Sequence, residues 1–226
     1  MDFNCLKHQE KTNRRLEESG VILYAPSTCY IDPEVTVGAG TKILPNTVIL
    51  GNTVIGKDCI IGPNTVIEDS TIGNHNEILS SHLTKAMVEN NVKIGPFSYL
   101  RPNAHIKNNA KIGNFCEIKN AVIGEGTKAS HLTYIGDADV GKNCNFGCGT
   151  VVVNYNGKEK FRSQIGDHAF IGCNTNLVSP VIVGDFGYTA AGSTITQNVP
   201  EGALAIARAK QENKKGWVTR KGYLDK

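Results

Sequence analysis

Residues 41–67 read TKILPNTVILGNTVIGKDCIIGPNTVI. Ile43, Ile49, Ile55, Ile61 and Ile67 recur every six residues, and Thr41, Thr47, Thr53, Cys59 and Thr65 stand two places before each. An amphipathic helix needs spacings of three and four, which this stretch lacks. A period of six with one large and one small inward position fits short strands wound three to a coil. The aliphatic side chain fills a triangular prism and the small one avoids crowding near a corner. Glycine after many of the aliphatics relaxes the backbone where the chain turns.

The pattern extends outward in both directions. Ile31 and Val37 precede it, with Cys29 and Val35 as the small partners. Ile72 and Ile78 follow, then Ile94, Leu100, Ile106, Ile112, Ile118, Ile123, Ile135, Val140, Phe146 and Val152. Ile165, Ile171, Leu177, Val183 and Ile195 close the series. From 31 to 195 this amounts to about nine coils of about eighteen residues, with rungs roughly 4.8 Å apart. The expected fold is all-β, a parallel β-helix. Residues 79–93, LSSHLTKAMVENNVK, fit the register poorly.

Three segments fall outside the prism. Residues 1–20 hold a polar run of helix formers ending at Gly20 and are expected to form an N-terminal helix or linker. Residues 21–199 form the β-helix, interrupted at 154–164, NYNGKEKFRSQ, by a polar loop expected to protrude. Residues 200–226 form a basic C-terminal extension, suited to covering the open sheet edge of the last coil.

Composition excludes several classes. A net charge of +3 over 226 residues is too small to argue for nucleic acid or an anionic membrane. No apolar run approaches the ~20 residues of a membrane helix. The N-terminal residues show no signal-peptide pattern. Seven cysteines, without a CxxC pair, fit reduced thiols and a cytoplasmic location.

The register sorts individual side chains. Cys29, Cys59, Cys116 and Cys144 take small inward positions and read as core residues. Cys148 and Cys173 fall two residues after an inward position and point outward. GEGTKA, 124–129, matches a dinucleotide fingerprint only formally, since it opens no helix. Arg101 and Lys119 each follow an inward aliphatic and lie one coil apart, so two cations face the same way on neighbouring rungs. They are either solvated surface charges or the walls of an anion site. His131, two places after Ala129, should also face outward, near Tyr134 and Asn145. It is either a structural residue or a base, as an imidazole titrates near neutrality. Histidines 8, 75, 82, 105 and 168 offer it no metal-ligand spacing.

LRPNAHI, GNFCEIKNAVIG, KASHLTYIGDADVG, GTVVVNYNGKEKF and NVPEGALAIARA together resemble one family. They are similar to the acetyltransferase half of the bifunctional N-acetylglucosamine-1-phosphate uridyltransferase/glucosamine-1-phosphate acetyltransferases, a hexapeptide-repeat group. The resemblance runs from about Gly20 to Trp217. It implies a left-handed β-helix, a homotrimer with active sites between subunits, and acetyl transfer from acetyl-CoA to glucosamine 1-phosphate for UDP-GlcNAc and cell-envelope synthesis. It implies His131 as proton acceptor with Glu117 as a polar assistant. Arg101 and Lys119 would bind the sugar phosphate, and Tyr134, Asn145 and Lys160 the amino sugar. Acetyl-CoA would lie along Cys148, Asn154, Tyr155, Cys173, Ala191 and Arg208, with no metal required. Positions 148 and 173 depart from the family, which often carries Ala and Ser there. The nucleotide-transferring half is expected to be absent from this chain. Galactosamine 1-phosphate or another acceptor, a zinc carbonic anhydrase on the same fold, and a non-catalytic trimeric scaffold are the rival readings.

Overall fold

The computed structural model describes residues 3–223, with side chains described from residue 9 onward; His8 lies outside that set. A helix over Phe3–Glu18 leads into a left-handed β-helix of short parallel strands. Each strand pairs with the one three places on, except that Tyr188–Thr189 pairs with Leu204–Ala205 two places on, giving sheets of 11, 10 and 9 strands on the three sides of a prism.

The inward aliphatics stack rung upon rung. Ile43 pairs with Ile61, Ile49 with Ile67 and Ile118 with Ile135, all fully buried. Each such side chain contributes roughly 1.5–3 kcal/mol of transfer free energy. The small inward positions also have a polar task. Thr41 Oγ1 donates to Gly56 O at 2.8 Å, Thr47 Oγ1 to Leu44 O at 2.7 Å and Thr53 Oγ1 to Leu50 O at 2.7 Å. Threonine thus finds its own buried acceptors among the corner carbonyls, leaving its hydroxyl satisfied inside the prism.

The corners refine one expectation. The left-handed backbone is shared between glycines, including Gly62 (φ 101°) and Gly95 (φ 95°) directly after an aliphatic, and Asn and Asp, as at Asn46 (φ 58°), Asn64 (φ 53°) and Asn103 (φ 64°), which tolerate it. Other glycines after an aliphatic serve close stacking. A Cβ on Gly56 would lie 2.5 Å from Gly73 O, and one on Gly38 would lie 2.6 Å from Gly56 C.

Residues 79–93 stay within the coil. Leu83 and Val88 are buried between Ile78 and Ile94. Two corners there are one residue shorter, turning at Ser80 (φ 44°) and Lys85 (φ 48°), so the six-residue count fails while the winding persists. The ladder also runs beyond the hexads at both ends, to Ile22–Leu23 and Leu204–Ala205.

The helix packs Thr12, Asn13 and Leu16 against the first coil. Arg15 Nη2 donates to Val35 O at 2.9 Å and to Pro33 O at 3.1 Å. The helix stops at Gly20, whose φ is +90°. At the other end Ala207 donates to Ser193 Oγ and accepts from Thr194 N, and residues 208–223 are exposed. No helix among the described residues is long and apolar enough to cross a membrane.

Candidate active site

Leu100 pairs with Ile118, which brings Arg101 and Lys119 onto neighbouring rungs of the 10-stranded sheet. Arg101 Nη1 donates to Glu117 Oε1 at 2.8 Å, and this carboxylate raises the guanidinium's proton affinity. The Lys119 ammonium is held below its ordinary range, chiefly by contact with Lys160, then by desolvation and the charge of Arg101. The loop therefore folds back so that Lys160 meets Lys119. Three cations gather where repulsion is offset only in part by Asp137, and an anion among them would relieve it.

The next rung above Lys119 carries Gly136, with no side chain in the ladder. A Cβ there would come within 2.3 Å of Tyr134 Oη and 2.8 Å of Asn154 Nδ2. The notch is floored by polar residues. Asp137 is buried and accepts from Asn120 Nδ2 at 2.5 Å and from Asn154 Nδ2. Asn154 Nδ2 also lies 3.4 Å from Tyr134 Oη.

Arg162 ties down the end of the loop. Its Nε donates to Asp139 Oδ2 at 2.6 Å and its Nη1 to Asn120 O at 2.8 Å. Hydrogen bonding to the guanidinium holds the Asp139 carboxyl below its ordinary range. Tyr155 is exposed, bonds Gly157 O within the loop at 2.6 Å, and bridges to Lys160 across it.

His131 is exposed at the corner between the 11- and 10-stranded sheets. Asn114 pairs with it one rung below, and Asn114 Oδ1 lies 2.9 Å from His131 Nδ1. With the amide oxygen as acceptor, the ring carries its proton on Nδ1 and leaves the Nε2 lone pair open. Glu117 is paired with Arg101.

A column rises from this corner. Ala129 pairs with Phe146, Phe146 with Ile171 and Ile171 with Thr189. Two residues beyond each come His131, Cys148, Cys173 and Ala191 in succession. Gly149 N donates to Leu132 O, Asn174 N to Cys148 O and Gly192 N to Cys173 O, holding the corners in step. A Cβ on Gly192 would meet Arg208 Cδ at 3.8 Å, so Arg208 flanks the top.

The structure thus brings Arg101, Lys119, Glu117, Tyr134, Lys160 and Asn154 together beside the 10-stranded sheet. It aligns His131, Cys148, Cys173, Ala191 and Arg208 along the corner. Asn145 lies apart, on the outer face of the 11-stranded sheet between Lys128 and Phe170. Sequence reasoning missed Asn114, Asn120, Asp137 and Arg162, whose partners lie 17 to 42 residues away and become visible only once every short corner is counted. Among the described residues, no group of three or more His, Cys, Asp or Glu side chains is gathered as a metal ion would need.

Comparison with known proteins places this geometry. The family described as "Bacterial transferase hexapeptide (six repeats)" matches residues 34–69, and that described as "GMPPB C-terminal domain" matches 82–185. The chain is 59% identical over 213 residues to "Bifunctional protein GlmU" of Clostridium perfringens, covering 94% of this chain and 47% of that protein. It is 55% identical over 210 residues to the protein of the same name in Caldanaerobacter subterraneus, covering 93% and 46%. The chain therefore spans about half the length of the curated relatives it matches. The UDP-N-acetylglucosamine acyltransferase structure from Campylobacter jejuni shares the fold, at a TM-score of 0.50 and 19% identity over 82% of this chain and 71% of that one. Over nearly all its length the chain is homologous to one half of the GlmU proteins, and residues 34–69 match the hexapeptide family of bacterial transferases.

Proposed function

We propose that the chain transfers the acetyl group of acetyl-CoA to the amine of glucosamine 1-phosphate. The observation that carries this reading is an exposed imidazole, bonded to Asn114, at the foot of a column of small side chains and beside a cation cluster that Glu117 and Asp137 neutralise only in part. The cluster of Arg101, Lys119 and Lys160 suits a phosphate monoester. Tyr134 and Asn145 would contact the sugar. The column of Cys148, Cys173 and Ala191 has small side chains and ends at Arg208, which fits an extended thioester carrier with an anionic far end. Asn154 and Tyr155 would border that donor from the loop. UDP-GlcNAc and cell-envelope synthesis in the cytoplasm is the setting this reaction implies.

In the reaction, the substrate amine attacks as its free base and His131 Nε2 takes a proton from the attacking nitrogen. The nitrogen bonds to the thioester carbon and the C–S bond breaks. The imidazolium returns a proton to the leaving sulfur. A positioned base of this kind contributes about 10²–10⁴-fold, and the cation cluster fixes the reach of the amine.

Asn145 and Tyr134 lie on different faces of one convex corner. A single copy cannot close a pocket over both, so a second copy completes the site. Phe97, Phe115 and Leu132, exposed on successive rungs of that corner, offer the apolar stripe for a homotrimer.

The test is thiol release from acetyl-CoA with glucosamine 1-phosphate beside galactosamine 1-phosphate. Turnover with the first and little with the second is expected. Preference for galactosamine 1-phosphate would reassign the acceptor, and absence of coenzyme A binding would favour a scaffold.

A further inference from the structure

Two outward thiols occupy consecutive rungs of the column directly above His131. Phe146 pairs with Ile171, and Cys148 and Cys173 each follow two residues later with no insertion between. Asn174 N donates to Cys148 O at 2.8 Å, which holds the two rungs in step. Neighbouring rungs stand about 4.8 Å apart. That lies inside the Cα separation of roughly 4.4–6.8 Å that a disulfide accepts. Side chains in register nearby do meet: Phe170 and Tyr188 stack with centroids 4.4 Å apart, and His168 and Phe186 at 4.8 Å.

The other described cysteines differ in kind. Cys29, Cys59, Cys116 and Cys144 are buried, and burial pushes the last three thiols up, which keeps them protonated and inert. Cys148 is half-buried and Cys173 exposed. The imidazole one rung below Cys148 is a base within the same column.

We propose that Cys148 and Cys173 form an oxidisable dithiol, a modification site that a peroxide converts to an intrachain disulfide. The Cys148 thiolate attacks one peroxide oxygen, the O–O bond breaks, and hydroxide leaves to be protonated. Cys173 sulfur then displaces hydroxide from the sulfenic acid, forming the S–S bond. Two thiols and one hydrogen peroxide give one disulfide and two waters. The bond is exposed at a surface corner, so a thiol reductant reverses it. It also ties together the two rungs along which the acetyl donor would lie, and closes that track; this last step rests on the proposed function.

The test uses the full chain, oxidised with hydrogen peroxide, then denatured, alkylated and mapped by mass spectrometry. A Cys148–Cys173 linked peptide, lighter by two hydrogen atoms and restored by dithiothreitol, is expected. Cys173→Ser should abolish the link and leave a Cys148 sulfenic acid that dimedone traps. Full alkylation of both residues after peroxide, or linkage to other cysteines, overturns the dithiol. Calorimetry with coenzyme A then tests the closure: the reduced chain binds and the oxidised chain does not. Equal binding overturns the closure. A reduced chain that binds no coenzyme A overturns the acetyl-donor reading and the closure together, while the dithiol stands or falls by the mass map.

Discussion

Asn114 and His131 are directly paired on adjacent rungs, with the amide oxygen 2.9 Å from Nδ1 of the ring. That contact selects the tautomer whose Nε2 can take a proton. Losing one such hydrogen bond is worth about 1 kcal/mol, or about fivefold in rate. Asn114→Ala should therefore lower kcat by about fivefold while leaving KM for both substrates unchanged. Asn114→Asp retains an acceptor and should recover most of the rate. Equal kcat in wild type and Asn114→Ala would remove the positioning role.

His131→Ala should lower turnover by about a hundredfold or more while coenzyme A still binds. Steady-state kinetics beside calorimetry would separate the two effects. Near-normal turnover would refute the base.

The cation cluster predicts a ligand-dependent titration. Lys119 is held below its ordinary value of 10.5 by Lys160 and Arg101, so the native state disfavours its charged form. Between the lowered native value and 10.5 the unfolded chain binds more protons, and native stability rises with pH across that window. A bound phosphate ester should bring Lys119 back up, as should Lys160→Ala in the free chain. NMR titration of the Lys119 Nζ protons with and without glucosamine 1-phosphate checks both. The same Lys160→Ala chain should show a raised KM for the sugar phosphate.

Arg162 should keep the loop in place. Arg162→Ala removes the bonds to Asp139 and Asn120, so limited proteolysis within 155–161 should accelerate and KM for the sugar phosphate should rise through Lys160. Because the Asp139 carboxyl is held below its ordinary 3.8, the clamp's stabilisation is present above that value and is lost only as pH falls through the lowered one. Loop cleavage that quickens well above pH 3.8 would show that another group holds the loop.

Gly136→Ala should damage the site more than the fold. Its methyl group would strike Tyr134 Oη and Asn154 Nδ2. Overpacking of this sort costs about 1–3 kcal/mol, readable as a shift in the urea midpoint. Activity should fall much further, because both displaced groups floor the notch.

Periodicity made most of the fold readable, since Thr41 and Ile43 repeat their roles at fixed covalent spacing along nearly the whole chain. The outward direction of Arg101, Lys119 and His131 followed from the same count. What escaped was settled between rungs. Asp137 meets Asn120 and Asn154, and His131 meets Asn114, across separations altered by each shortened corner. Glu117 shows the limit from the other side: its place near Arg101 and Lys119 was legible, but its pairing with Arg101 is set by side-chain geometry between rungs.

Because strand after strand joins the one three places on, up to the last ladder, the molecule works as a ruler with a repeating graduation. A whole extra turn spliced in beneath Leu50 would lengthen the rod and leave the upper corner intact. Single residues are gained or lost at corners without disturbing the sides, as at Ser80 and Lys85, so only a change inside a strand would detach the imidazole from the groups that share its edge. Evolution of such a rod is thus free in length and at its corners, and strict only along its sides.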